Sequence, residues 1–253
     1  MLEITGIVLA YPKDDFMFNV LLFDLDGTLL DIDMEIFLPR YFRVLTERFS
    51  WLIKPEDFVK HLLHSTHVMI MNKDPEKTNE EVFMEEFVPR IGLSREEMQP
   101  ILTDFYTNDF GLLGKYTRRE PLARKIINLA HEKGLELIIA TNPVFPRLAI
   151  EHRMRWAGIR DFPYTLITTY ENMHFCKPHR EYYEEVLSLT GRKAKECLMI
   201  GNDIRGDIAA KTAGIRTFLV KDHLLDSGGE GELLTPDYQG DLADLLSFIK
   251  ALP

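Results

Sequence analysis

The run Val20-Leu21-Leu22-Phe23-Asp24-Leu25-Asp26-Gly27-Thr28-Leu29 decides the fold. Its first four residues are apolar without polar alternation, the pattern of a strand buried on both faces in a parallel sheet. Two carboxylates, Asp24 and Asp26, follow where that strand ends. Ligands of open α/β sheets bind beyond the carboxyl ends of strands, so both acids stand where chemistry is expected. Gly27 permits a sharp turn, and a sharp turn lets both acids converge on one cation. Close like charges raise at least one pKa unless a metal neutralises them. Taken alone, a plain Asp-Gly turn gives the same local pattern.

Outward from this stretch, short apolar runs recur at Leu137 to Ala140, Leu166 to Thr168, Cys197 to Ile200 and Thr217 to Val220. Helical patterns lie between most of them. Leu122, Ile126, Ile127 and Ala130 share one face, and Phe145, Leu148, Ala149 and Met154 roughly share another. Gly134 marks the end of the first helix. This alternation predicts right-handed crossover units, hence an α/β fold with a Rossmann-like parallel sheet flanked by helices.

The interval between the first two strands breaks the rhythm. About a dozen residues suffice for a crossover, and more than a hundred are present. Helical stretches are expected at roughly Glu35 to Phe49, Pro55 to His67, Thr78 to Pro89 and Ser94 to Asp109, with no convincing strand. Ser94 followed by Glu97 supplies a capping box for the last. The expected organisation is an α/β core of residues 1–32 and 112–253 carrying an inserted all-helical cap at 33–111. Leu30 to Asp33 is the expected outgoing hinge, and Gly111 and Gly114 the return. Residues 1–19 read as an added edge strand or an arm, 227–232 as a flexible glycine-rich loop, and Asp241 to Lys250 as a closing helix after a short segment near Tyr238.

Composition narrows the partners. The 253 residues carry 30 Lys and Arg against 40 Asp and Glu, a net charge of −10, which is the wrong sign for nucleic acid as the principal partner. The longest stretch free of Asp, Glu, Lys and Arg, His61 to Asn72, contains three histidines and falls far short of a membrane span. No basic leader precedes the short apolar run from Ile7 to Ala10, which speaks against a signal peptide. The only cysteines, Cys176 and Cys197, are too few for a disulfide framework. A cytoplasmic protein with no membrane or nucleic-acid partner is expected; the oligomeric state is not encoded legibly.

Three further segments follow strand ends in order: Ala140-Thr141-Asn142, Lys177-Pro178, and Gly201-Asn202-Asp203-Ile204-Arg205-Gly206-Asp207. With Asp24-Leu25-Asp26-Gly27-Thr28 they give the chain its resemblance to the haloacid dehalogenase superfamily of phosphohydrolases. It covers the whole α/β portion, and the insertion matches the helical cap that many members carry between the first two motifs. The resemblance implies a phosphatase acting on a small phosphorylated metabolite. Asp24 would be the nucleophile and Asp26 the general acid and base. Thr141 and Lys177 would hold the phosphoryl oxygens, with Asn142 donating to phosphate or to a neighbouring loop. It also implies magnesium (Mg2+), bound by the Asp24 carboxylate, the Asp26 backbone carbonyl and Asp203, with Asp207 orienting a metal water or Lys177. Many relatives have Gly-Asp where this chain has Gly201-Asn202-Asp203, so either Asn202 or Asp203 could face the metal. Asp203 keeps the family spacing to Asp207. Asp203 as the cap of a helix amino terminus would explain the segment without any metal.

Other residues invite weaker readings. The resemblance implies that Thr28 helps shape the first loop, with turn hydrogen bonding alone as the plain alternative, and Arg205 reads as a solvated arginine. His61, His64 and His67 spread over about 120° of a helix face and lack the third close ligand of a zinc site. Arg40, Arg43 and Arg48 are either a charged surface or a cradle for an anionic leaving group. Trp51 and Met69 to Met71 read as cap core. Asp26 argues against the dehalogenase branch, because halide displacement needs no proton donor and no metal. A phosphonate hydrolase would need a cap lysine, and Lys54 or Lys60 carries no positive sign of that role. A phosphosugar mutase and a non-catalytic phosphate-binding protein are the alternatives.

Overall fold

A computed structural model describes residues 18–226 and 233–253. The readings made for residues 1–17 and for the 227–232 loop lie outside the described residues.

The deciding run forms β1 (Val20–Phe23), buried at every position. The chain leaves it through β2 (Leu30–Asp31), passes through α1 (Met34–Glu47), α2 (Pro55–Met71), α3 (Asn79–Ile91) and α4 (Arg95–Asp104), and returns at β3 (Arg118–Arg119). β2 and β3 pair antiparallel, so the outgoing and returning strands are stitched side by side. Beyond β3 come α5 (Ala123–Glu132), β4 (Glu136–Ile139), α6 (Arg147–Ala157), β5 (Leu166–Ile167), α7 (Arg180–Thr190), β6 (Cys197–Gly201), β7 (Arg216–Val220), β8 (Tyr238–Gly240) and α8 (Leu242–Ala251). The main sheet has the order β5-β4-β1-β6-β7-β8, every pair parallel.

Alternation along β1 divides its side chains between two cores. Leu21 and Phe23 join Leu137, Ile139, Ile126 of α5 and Phe248 of α8 on one face. Val20 and Leu22 join Ile138, Met199 and the α7 residues Tyr182 and Val186 on the other. A strand that contributes about 2 kcal/mol per large buried side chain on both faces needs no polar residue, which explains the apolar run. Central β1, flanked by β4 and β6, therefore carries Asp24 and Asp26 to the middle of the sheet's carboxyl edge.

The inserted helices begin where the sequence supplies caps. The Asp33 carboxylate accepts from the backbone N–H of Glu35 and Ile36, and Thr78 with Glu81 and Ser94 with Glu97 form capping boxes. α2 runs past the expected His67 to Met71. After α4 the helix widens into a π turn at Phe105–Asp109 and tightens into a 3-10 segment at Phe110–Tyr116. Gly111 and Gly114, read from the sequence as the return hinge, lie within that 3-10 segment, pressed onto α6. A Cβ on Gly111 would stand 2.8 Å from the His152 ring, and one on Gly114 2.6 Å from Trp156 Nε1. Close approach to α6 is thus what requires glycine there.

Two expected core positions are on the surface instead. Trp51 is 68% exposed, because it falls in the turn after α1, where its indole N–H donates to the Arg48 carbonyl. Met69 is buried, but Met71 at the end of α2 is exposed. No helix among the described residues is long and apolar enough to cross a membrane.

Candidate active site

The first loop is set by backbone geometry. The Asp24 N–H donates to the Ile200 carbonyl at 2.8 Å, continuing the sheet by one residue. The chain then reverses, with the N–H groups of Leu29 and Leu30 donating to the Leu25 carbonyl at 2.9 Å. Gly27 sits at the reversal with φ 78°, and a Cβ there would meet Asn202 Nδ2 at 2.4 Å. Glycine is required twice over, for the left-handed backbone and for the close approach of the β6 loop. Thr28 Oγ1 donates to Asn202 Oδ1 at 3.0 Å and reaches Asp24 Oδ2 at 3.4 Å.

Three other strand exits converge on this loop. Thr141 follows β4, and its carbonyl accepts from Thr168 Oγ1 at 2.7 Å and from the Tyr182 hydroxyl at 3.0 Å, which fixes its backbone. Lys177 follows β5, and Asn142 Oδ1 accepts from its backbone N–H at 3.1 Å. Asn142 thus ties the two loops together as an acceptor, and it also lines the cavity. The Lys177 ammonium, 5% exposed, donates to Asp24 Oδ1 at 3.0 Å and to Asp207 Oδ1 at 2.6 Å. Asp207 Oδ2 in turn accepts from the Asp203 N–H at 2.9 Å. Gly201 gives Asp207 its space, since a Cβ there would stand 2.1 Å from Asp207 Oδ2.

Asp24, Asp26, Thr141, Lys177, Asp203 and Asp207 all line one cavity of about 760 Å³, and so do Asn142 and Asn202. The two candidates on the β6 loop differ in what occupies them. The Asn202 amide is engaged at both ends, accepting from Thr28 and donating to the His223 carbonyl at 2.6 Å. Asp203 Oδ1 accepts from the Arg205 N–H at 2.9 Å. Arg205 itself pairs with Asp226 at 2.6 Å.

One charged cavity residue escaped the sequence reading. Arg153 of α6 is 1% exposed, and its Nη1 donates to Asp26 Oδ2 at 2.8 Å. Its guanidinium lies 3.9 Å from the centroid of the Phe145 ring, while Nε, Nη2 and Asp26 Oδ1 are buried without hydrogen-bond partners. The available signal was an arginine four residues after Ala149 and four before Ala157, on the apolar face of α6.

Electrostatics follow from burial. Burial pushes the Asp24 carboxyl above its ordinary range and the neighbouring Asp26 adds to this, with Lys177 pulling the other way. Burial likewise raises Asp26, opposed by Arg153 and Lys177. Burial alone would depress the Lys177 ammonium, but Asp207 and Asp24 outweigh it and keep lysine protonated.

The other sequence candidates stand elsewhere. His64 pairs with Glu86 at 3.1 Å, and only His67 of the histidine series reaches the cavity. Arg48 binds Asp104 at 2.8 Å and also Asp109, and Arg40 stacks 4.6 Å from the Tyr116 ring centroid, so neither lines the cavity. Both cysteines are buried free thiols.

A model of the haloacid dehalogenase-like hydrolase family matches residues 21–220. The chain belongs to this family. Among relatives of this hydrolase, pyrophosphatase PpaX of Bacillus mycoides (strain KBAB4) is 23% identical over 235 residues, 92% of this chain and 98% of that protein. The hydrolase fold is shared with the L-2-haloacid dehalogenase of Xanthobacter autotrophicus bound covalently to chloropropionic acid. That match has a TM-score of 0.57 at 16% identity and covers 94% of this chain and all of the other. A structure described as a predicted phosphoglycolate phosphatase from Haemophilus somnus 129PT matches with a TM-score of 0.55 at 18% identity, covering 91% and 97% of the two chains.

Proposed function

We propose that this hydrolase is a magnesium-dependent phosphatase that cleaves a phosphomonoester through an aspartyl-phosphate at Asp24. One observation carries the reading: the Lys177 ammonium bridges Asp24 and Asp207 on the floor of a cavity that Asp26 and Thr141 also line. A nucleophile, a proton carrier and phosphoryl-oxygen donors thereby share one space.

The chemistry follows from the side chains. An Asp24 carboxylate oxygen attacks phosphorus while the bond from phosphorus to the leaving oxygen breaks. Asp26 gives its proton to that oxygen. Water then attacks the phosphoaspartate, Asp26 takes its proton, and free phosphate and the Asp24 carboxylate result. Lys177 and the Thr141 hydroxyl hold the phosphoryl oxygens. Halide displacement has no use for a proton donor, so Asp26 supports phosphatase over dehalogenase chemistry.

Magnesium fits the donor set. Four aspartates line the cavity against Lys177 and Arg153, an excess of two negative charges when all are ionised, and Asp26 Oδ1 is buried unpaired. Among the described residues no three His, Cys, Asp or Glu side chains cluster tightly enough to form an all-protein metal cage. Magnesium is ordinarily held by one or two carboxylates with water and phosphate completing an oxygen shell. The Asp24 and Asp203 carboxylates and the Asp26 carbonyl would supply the protein's share, and the ion would neutralise phosphoryl charge.

Hydrolysis of an aryl phosphate is expected with magnesium and is expected to vanish on chelation and in Asp24→Asn, with no halide released from a 2-haloacid. Halide release in place of phosphate release contradicts the proposal.

A further inference from the structure

We propose, resting on the phosphatase reading, that the alcohol released from the phosphomonoester is a bulky apolar one, an alkyl chain or an aryl ring with few polar groups. The cavity has two unlike halves. Its floor is the charged loop cluster at the sheet edge. Its vault, supplied by the inserted helices, includes Leu38 and Leu45 of α1, Phe58 and Leu62 of α2, and Phe83 and Phe87 of α3. The aromatic members pack on one another, Phe58 edge-on to Phe87 at 5.3 Å and Phe83 stacked on Phe87 at 5.0 Å between centroids.

Polar groups in the vault are mostly spent inside the protein. The Tyr41 and Tyr106 hydroxyls bond each other at 2.9 Å, and the Thr66 hydroxyl donates to the Leu62 carbonyl at 2.9 Å. Beyond His67 and Tyr170 a sugar would meet few free polar side chains in the vault, and each hydroxyl left unpaired on burial costs affinity. Lys177 bonds Asp24 and Asp207, and Arg153 bonds Asp26 through Nη1, while its Nε and Nη2 keep no hydrogen-bond partner. A second anionic group, such as the other phosphate of pyrophosphate or the carboxylate of phosphoglycolate, that reached past the floor into the vault would lose its water against mostly apolar side chains, which is costly for a charge.

Size and mouth agree with this. At about 760 Å³ the cavity is in the range that takes a drug-sized ligand, far more than a phosphoryl group fills. At its edge α2 holds Leu63 and Met71, 51% and 55% exposed, so the apolar lining continues into solvent. An apolar tail longer than the vault would find a matching surface there. In the reaction the ester oxygen leaves with the electron pair of its bond to phosphorus and takes the Asp26 proton. Water then supplies hydroxyl to phosphorus and a proton to Asp26.

The test is kcat/KM of the magnesium-loaded wild-type protein for straight-chain alkyl phosphates from methyl to octyl, beside phenyl phosphate, pyrophosphate and phosphoglycolate. The expected result is a climb of about fourfold per methylene until the vault is filled. Phenyl phosphate should exceed methyl phosphate, and both anionic compounds should fall below butyl phosphate. Turnover with a flat or falling series, or with pyrophosphate preferred, overturns this inference and leaves the phosphatase reading standing. Absence of turnover with every ester overturns both.

Discussion

Arg153 Nη1 stands 2.8 Å from Asp26 Oδ2, a buried ion pair between residues 127 positions apart that ties α6 to the first loop. Arg153 reaches Asp26 from the side of α6, while Phe145 covers its guanidinium face. In the proposed reaction the pair would fix the direction in which Asp26 offers its proton. Deleting one partner of a buried pair costs about 3–5 kcal/mol, because the other is left uncompensated. Arg153→Met is therefore expected to lower stability by about that amount and to lower kcat at least about tenfold with a smaller change in KM, since a misplaced acid affects the chemical step. Arg153→Lys keeps the charge and is expected to recover part of kcat. Thermal melts and steady-state kinetics of both variants check this; unchanged kcat in a folded Arg153→Met would contradict the positioning role.

Gly27 and Asn202 form a second coupled pair. Alanine at 27 must adopt φ near 78° and push aside an amide 2.4 Å away. The left-handed backbone alone costs roughly 1–2 kcal/mol. Asn202→Ala removes the obstructing amide, so the loss caused by Gly27→Ala should be smaller in that background. A double-mutant cycle of unfolding free energies measures the difference; strict additivity would show that the contact does not matter.

Far from the cavity, Asp237 joins the approach to β8 to β7. Its carboxylate accepts from Arg216 at 2.7 Å, Lys211 at 3.0 Å and the Thr217 N–H at 3.0 Å. Burial works against its ionised form, but these donors win and hold its pKa below the ordinary carboxylate value. A group depressed in the folded state contributes stability fully above its unfolded pKa and loses it as pH falls through the folded one. Asp237→Asn should then cost about 2 kcal/mol at neutral pH. The gap to wild type should close below about pH 4. Urea melts across that range read it out, and a pH-independent gap would refute the assignment.

What the sequence made legible has a physical pattern. Asp24, Thr141 and Asp203 each stand within two residues of the end of a strand of the main sheet, and the alternation of apolar runs with helical stretches announces such strands. Lys177, in the loop beyond β5, was carried by its motif. Arg153 left no comparable trace, because its partner is distant in the chain and a charged side chain on an apolar helix face can be recognised only once Asp26 is seen opposite. Trp51 misled through hydrophobicity: an indole can satisfy its N–H at a helix end, as it does on the Arg48 carbonyl, and leave its ring in solvent. Gly111 and Gly114 looked like hinge residues from composition alone, whereas His152 and Trp156 of α6 are what exclude a side chain there. The helices of the insertion could be read from their caps, but which of their side chains turn toward the cavity depended on tertiary packing.

The central claim concerns a covalent bond at one carboxylate. Rapid acid quench of the magnesium-loaded protein during turnover of a good phosphate ester, followed by peptide mass spectrometry, tests it most directly. The account predicts a transient phosphate on the peptide containing Asp24, labile to hydroxylamine and absent from Asp24→Asn. Turnover at full rate with phosphate never found on that peptide, or found on another residue, would contradict it.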